Sequence, residues 1–162
     1  MTERITDYLL ADHREIEAWL ARARGDELAL EAFTEMRKRL LRHIAIEEKV
    51  LFPAVRARDP DALPDARQIK IEHAALGSLL VPTPDLALAG EVAALLAVHD
   101  EREESPGGVY ARCEAAVGEL SAELAVRARA FPAVRASAYL DRPGQRRTAR
   151  EALEAASRTR PT

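Results

Sequence analysis

Apolar residues recur three and four positions apart along almost the whole chain, and no stretch alternates β-branched with polar side chains. That periodicity predicts an all-α fold. Breakers divide the pattern. Helix A is predicted from Arg4 to Arg24, where Gly25-Asp26 stops it, and helix B from Glu27 to Arg58, before Asp59-Pro60. Helix C is predicted from Pro64 to Leu80. Pro82-Thr83-Pro84-Asp85 then turns the chain into helix D, which begins near Leu86 and meets Ser105-Pro106-Gly107-Gly108. Short connections between four long amphipathic helices predict an antiparallel, up-down four-helix bundle with additional C-terminal helical segments. The expected division is a bundle over residues 1–112, a helical extension packed on it over 113–142, with helical segments filling 109–140, and a basic, partly flexible tail over 143–162. That tail carries Arg146, Arg147, Arg150, Arg158 and Arg160 against two glutamates.

The chemistry follows from where the histidines fall on this pattern. The chain has four, His13, His43, His73 and His99, one on each predicted helix. Residues on consecutive antiparallel helices meet at one level only if the turn lies near their midpoint. The midpoints are residues 28, 58 and 86, and each falls at or within a few residues of a predicted turn. The imidazoles also lie on apolar stripes: Leu9, Ile16 and Leu20 flank His13, and Ile69, Leu76 and Leu80 flank His73. Leu40 and Leu51 bracket His43, while Val92, Leu95 and Leu96 lead into His99. One inward histidine is ordinarily a hydrogen-bonded core residue. Four at one height, with only one another and acids for partners, predict a metal centre.

Carboxylates complete the set. Helices B and D share the pattern H-x-x-x-E-E, as His43 to Glu47-Glu48 and His99 to Glu103-Glu104, and the spacing of four puts Glu47 beside His43 and Glu103 beside His99. Acids are frequent here, and Glu17 stands at the same spacing from His13. Glu47 and Glu103 are favoured because helices A and C, and B and D, match as an internal duplication. Glu48 and Glu104 are expected to face solvent or to support the ligands from outside. The candidate metal ligands are therefore His13, His43, Glu47, His73, His99 and Glu103, a set generous for one ion and natural for two ions of iron, manganese or zinc. The ferritin-like alternative needs glutamate three residues before a histidine; those positions hold Leu10, Leu40, Lys70 and Leu96.

Composition narrows the reading further. With 24 basic and 27 acidic side chains the net charge is −3, which gives no field for nucleic acid or an anionic membrane. The N-terminal MTERITDYLL lacks a basic stretch followed by an apolar run, and no apolar stretch is long enough to span a bilayer, so the expectation is a cytoplasmic protein. Cys113 is the single cysteine and reads as a small buried hydrophobe. Tyr8 and Trp19 read as core packing rather than as lining of the site.

Residues 5 to 112 resemble the hemerythrin-like, or HHE cation-binding, family. The resemblance is carried by His43-Ile-Ala-Ile-Glu47-Glu48-Lys-Val-Leu51-Phe52-Pro53, Asp12-His13-Arg-Glu-Ile16, Glu72-His73-Ala-Ala-Leu76 and His99-x-x-x-Glu103-Glu104. It implies an oxo- or hydroxo-bridged non-haem di-iron site with Glu47 and Glu103 as bridging carboxylates and the histidines as terminal ligands. The oxygen carriers of that family have a second histidine on helix C where this chain has Gly77. Its absence leaves two positions on two six-coordinate irons for water or an exogenous ligand, and argues against long-lived oxygen carriage. The family also follows its paired glutamates with two residues before an apolar-aromatic pair, whereas four precede Val109-Tyr110 here. Pro106 cannot bond to the Arg102 carbonyl, so a kink or bulge is expected one turn beyond the metal, with Glu103 as the loosest ligand. The implied function is binding of dioxygen, nitric oxide or peroxide for sensing, scavenging or stress response, with electron donor and oligomeric state open. The alternatives are a di-iron enzyme that reduces peroxide or nitric oxide or repairs iron centres, and a metal-free structural bundle.

Overall fold

The computed structural model describes residues 2–159, and among these it contains helices and no strand. Helix α1 spans Ile5–Ala23 and α2 spans Leu30–Ile46, continuing through a π-helical turn, Glu47–Leu51, into α3, Phe52–Arg58. Helix α4 is Ala66–Leu79 and α5 is Leu86–Glu104. These make the bundle. Helices α6 (Val109–Val117) and α7 (Ser121–Arg129) follow, joined by a short 3₁₀ turn, and α8 is Ala149–Arg158.

The ends of the helices have local causes. Asp85 starts α5 by accepting the Leu88 backbone N–H at 2.8 Å, which satisfies a donor the first turn cannot. Helix α2 starts at Leu30 rather than at Glu27, because Arg24 and Leu28 pair as an isolated bridge across the turn. Helix B is not uniform as its periodicity suggests. Pro53 has no N–H for the Lys49 carbonyl, and its ring would crowd that carbonyl in a regular helix. The preceding turn is widened instead, with the Phe52 N–H donating to the Glu47 carbonyl five residues back. Such single π turns are frequent at functional sites, and this one begins at a candidate ligand.

Two expectations need correction. The chain does not kink or bulge at Pro106: α5 ends after Glu104, with Ser105 extended (ψ 151°), and α6 is a separate helix. Gly108 is required in this turn, since a Cβ there would stand 2.7 Å from the Ser105 carbonyl and 2.8 Å from that of Arg102. Further on, helix stops at Arg129 instead of filling the chain to 140; the basic tail carries a helix of its own over Ala149–Arg158. Thr148 and Glu151 cap α8 reciprocally, and Ala152 is buried where α8 packs on α4 and α5. Arg160 lies outside the described residues. The irregular segment between α7 and α8 is strapped down. Arg42 donates to the Ala128 and Phe131 carbonyls at 2.9 and 2.8 Å, Arg37 to the Ser137 carbonyl at 2.7 Å, and Leu140 N–H to the Val81 carbonyl at 3.0 Å.

The apolar core falls into two clusters. One holds Ile16, Leu20, Phe33, Met36, Leu40, Leu76, Leu79, Val92 and Leu96. The other holds Ile5, Leu9, Ile46, Leu51, Val55, Ile69, Val109, Cys113 and Leu124. Along α1, α2 and α4 the buried histidine lies between residues of the two clusters, and along α5 His99 and Glu103 follow the residues of the first. Trp19 packs against the first cluster and Tyr8 against the second. No helix is long and apolar enough to cross a membrane. Phe33 is fully buried, and Phe33→Ala should cost about 3–5 kcal/mol of unfolding free energy, read as a lower midpoint in denaturant melts.

Candidate metal centre

Helices α1, α2, α4 and α5 each carry one histidine into the layer between the two clusters, and His13, His43, His73 and His99 are all at least 96% buried. The π turn supplies Glu47 and the last turn of α5 supplies Glu103, both fully buried. All six sequence-derived residues therefore meet in one place. They form two overlapping groups, His13–His43–Glu47–Glu103 and Glu47–His73–His99–Glu103, in each of which the ligating atoms lie within 4.8 Å of one another.

The carboxylates are shared between the groups oxygen by oxygen. Glu47 turns Oε1 to His43 Nε2 (3.3 Å) and Oε2 to His73 Nε2 (3.1 Å). Glu103 turns Oε1 to His99 Nε2 (3.1 Å) and Oε2 to His13 Nε2 (3.3 Å). Glu103 is thus not displaced by the break after α5. Several of these contacts have hydrogen-bond length without hydrogen-bond alignment: Glu47 Oε2, His73 Nε2, His99 Nε2 and both Glu103 oxygens have no hydrogen-bond partner despite complete burial. Buried polar atoms left in this way are costly unless a further atom satisfies them. Unpaired imidazole nitrogens and carboxylate oxygens converging at these distances are a donor set suited to metal ions.

Each imidazole is held from behind by a carboxylate on its Nδ1. Asp12 on α1 holds His43 (3.0 Å), and Glu48 after α2 holds His73 (2.9 Å). Glu72 on α4 holds His99 (2.8 Å), and Glu104 on α5 holds His13 (2.6 Å). The support passes from each helix to the next and closes in a ring. An acceptor on Nδ1 leaves Nε2 as the free lone pair and fixes the plane of the ring. Glu72 is itself anchored by Gln68 (3.0 Å) and by Arg102 through Nε and Nη2, both at 3.1 Å. Glu104 is anchored by Arg14. Glu48 and Glu104 match the supporting role expected of them. Asp12 and Glu72 were legible only as the acids that precede His13 and His73. Glu17, the weaker candidate, pairs with Arg14 at the surface.

Two further polar groups reach the layer. The Tyr110 hydroxyl, on α6, donates to Glu47 Oε1 (2.6 Å) and lies 3.1 and 3.3 Å from the Nε2 atoms of His13 and His43. The sequence pattern contained no signal for it, because Tyr110 belongs to a segment beyond the four-helix repeat. Asp100 places Oδ1 3.7 Å from His13 Nε2. It also lines a groove of about 250 Å³ with Glu17, Leu20, Arg24 and Leu96.

Electrostatics follows from this crowding. Burial opposes charge on the imidazoles, but the surrounding carboxylates prevail. The pKa of His43 is raised well above its ordinary value, chiefly against burial by Glu47 and Asp12, and that of His99 is raised to about 10 by Glu103, Glu72 and Glu47. Glu72 is drawn down to about 2, where His99, Gln68 and Arg102 outweigh its burial. Burial pushes Asp100 up to about 6, and burial with the nearby Glu103 and Glu47 raises Tyr110 well above the usual phenol range.

Comparison with known proteins agrees with this geometry. The model of the hemerythrin HHE cation binding domain matches residues 4–106, which include all six converging residues and the four carboxylates behind them, and stop short of Tyr110. No curated protein and no solved structure matches the chain. With four imidazoles and two shared carboxylates in a four-helix bundle, and a family match over more than half its length, the chain belongs to the hemerythrin HHE cation-binding domain family.

Proposed function

We propose that this chain is a non-haem di-iron protein that binds dioxygen, nitric oxide or peroxide, in a sensing, scavenging or stress-response role. The observation that carries the reading is the division of Glu47 and Glu103, each of which offers one oxygen to the His13/His43 pair and the other to the His73/His99 pair. His13 and His43 would hold one iron, His73 and His99 the second, and the two glutamates would bridge them. When bound, a pair of ferrous ions supplies two electrons and a site for a small oxidant. Zinc or manganese would fit the same donors.

The protein's own residues set the conditions. The ring of carboxylates orients all four Nε2 atoms and raises their basicity. Leu9, Ile16, Leu40, Leu51, Ile69, Leu76 and Leu96, all buried, exclude bulk water above and below the layer. Gly77 stands where the oxygen carriers place another imidazole, so one fewer ligand is available on the His73 side, which favours reaction with a small oxidant over reversible carriage. A tightly shielded, non-catalytic role is distinguished from enzymatic reduction by stoichiometry: a sensor oxidises once, whereas an enzyme with a reductant turns over.

Three outcomes test the reading. Anaerobic loading with ferrous iron should give about two irons per chain, and admitting oxygen should produce near-ultraviolet and visible charge-transfer bands; His43→Ala should lose at least half of the iron and most of that absorption. A folded protein that takes up no iron overturns the proposal. Glu72→Gln should weaken metal binding about 10–100-fold, measured by competition with a chelator, while helix content is retained. Protons should be released on metal binding, because the metal-free imidazoles hold them against Glu47 and Glu103 and a ligating histidine must be neutral. Low pH favours the protonated, metal-free form, so apparent affinity should keep rising with pH above neutrality, up to about 10 where His99 gives up its proton, and a weakly buffered titration with an indicator reads both effects.

A further inference from the structure

The Tyr110 hydroxyl stands in an unusual place for a residue whose only duty is to pack. Tyr110 is 4% exposed, and its oxygen is 2.6 Å from Glu47 Oε1, 3.1 Å from His13 Nε2 and 3.3 Å from His43 Nε2. Those three atoms are the donors that one ion would share. For metal–ligand bonds of about 2.0–2.2 Å, neighbouring ligand atoms around one ion stand roughly 3 Å apart. The same separation relates His13 Nε2 to His43 Nε2, 2.9 Å, and His13 Nε2 to Glu103 Oε2, 3.3 Å. A tyrosine that only supported Glu47 from outside would have no reason to come equally close to two imidazole lone pairs.

We propose, resting on the di-metal reading, that Tyr110 is a fifth protein ligand, coordinating through its phenolate oxygen the ion held by His13 and His43 and not the one held by His73 and His99. On ligation a metal–oxygen bond forms at the phenol oxygen, the O–H bond breaks and its proton passes to solvent, with no oxidant consumed. The segment that delivers the ligand lies outside the family-matched residues 4–106. It owes its course to the Ser105–Gly108 turn, in which Gly107 adopts φ 71° and Gly108 has no room for a side chain. Those extra residues let α6 leave α5 and pack Val109, Tyr110 and Cys113 into the second apolar cluster with the ring of Tyr110 5.5 Å from that of His13.

The two ions then have unequal surroundings. Two imidazoles, two carboxylate oxygens and the phenolate would hold the His13/His43 ion, whereas the His73/His99 ion would have one protein ligand fewer, which directs an exogenous ligand to it. That side includes Gly77, one turn on from His73, where an added Cβ would meet nothing within 4 Å.

The test is vibrational. The oxidised di-iron protein should show tyrosinate ring modes in the resonance Raman spectrum when excited in a visible charge-transfer band, and Tyr110→Phe should abolish both modes and band while keeping iron content and helicity. Tyr8→Phe and Tyr139→Phe should leave them unchanged, because Tyr8 accepts from Arg42 and Tyr139 pairs with Thr34. Ring-deuterated tyrosine in the unmutated protein should shift the modes, which decides the matter even if Tyr110→Phe folds poorly. Two irons per chain without tyrosinate modes would overturn the ligation and leave the di-iron reading standing. No iron would overturn both.

Discussion

Four histidines and two glutamates are buried in one layer across the middle of this bundle, and the rest of the structure is organised around making that tolerable. Taking charges out of water costs several kcal/mol per group unless good geometry and additional hydrogen bonds return it. Here the layer separates two apolar clusters, so the helices cannot slide past one another without moving a histidine into an apolar wall. Register, which in a bundle of alanine- and leucine-rich helices is weakly specified by packing alone, is thereby pinned by polar chemistry.

The compensation is cooperative in form. Asp12, Glu48, Glu72 and Glu104 each reach from one helix to the imidazole of another, so each hairpin satisfies only one of its own two histidines. The anchoring continues outward through Gln68, Arg102 and Arg14 to the surface. Low dielectric strengthens each of these contacts when all are made and penalises the loss of any one. Residues that never touch the point of convergence thereby fix the orientation of the histidines that do.

Much of this arrangement was legible in the chain. The convergence of His13, His43, His73 and His99 follows from arithmetic on helix length and turn position, and Glu47 and Glu103 from four-residue spacing. What escaped has particular causes. The π turn at Glu47–Leu51 is a backbone response to Pro53, and apolar periodicity is nearly blind to a single widened turn. Helix α8 was hidden by its arginines, although Ala149, Ala152, Leu153 and Ala156 sit at helical spacing behind a Thr148–Glu151 capping pair. Tyr110 depends on the direction in which the Ser105–Gly108 turn releases the chain, a three-dimensional fact with no local pattern.

The ring of supporting carboxylates runs in a single rotational sense, and its members stand in matching positions: Asp12 and Glu72 each precede a histidine, and Glu48 and Glu104 each follow a shared glutamate. A two-fold axis through the site would exchange one hairpin for the other with nearly every donor preserved. Each hairpin therefore supplies one half of the site's donors and lends one of its two supporting carboxylates to the other half across that axis.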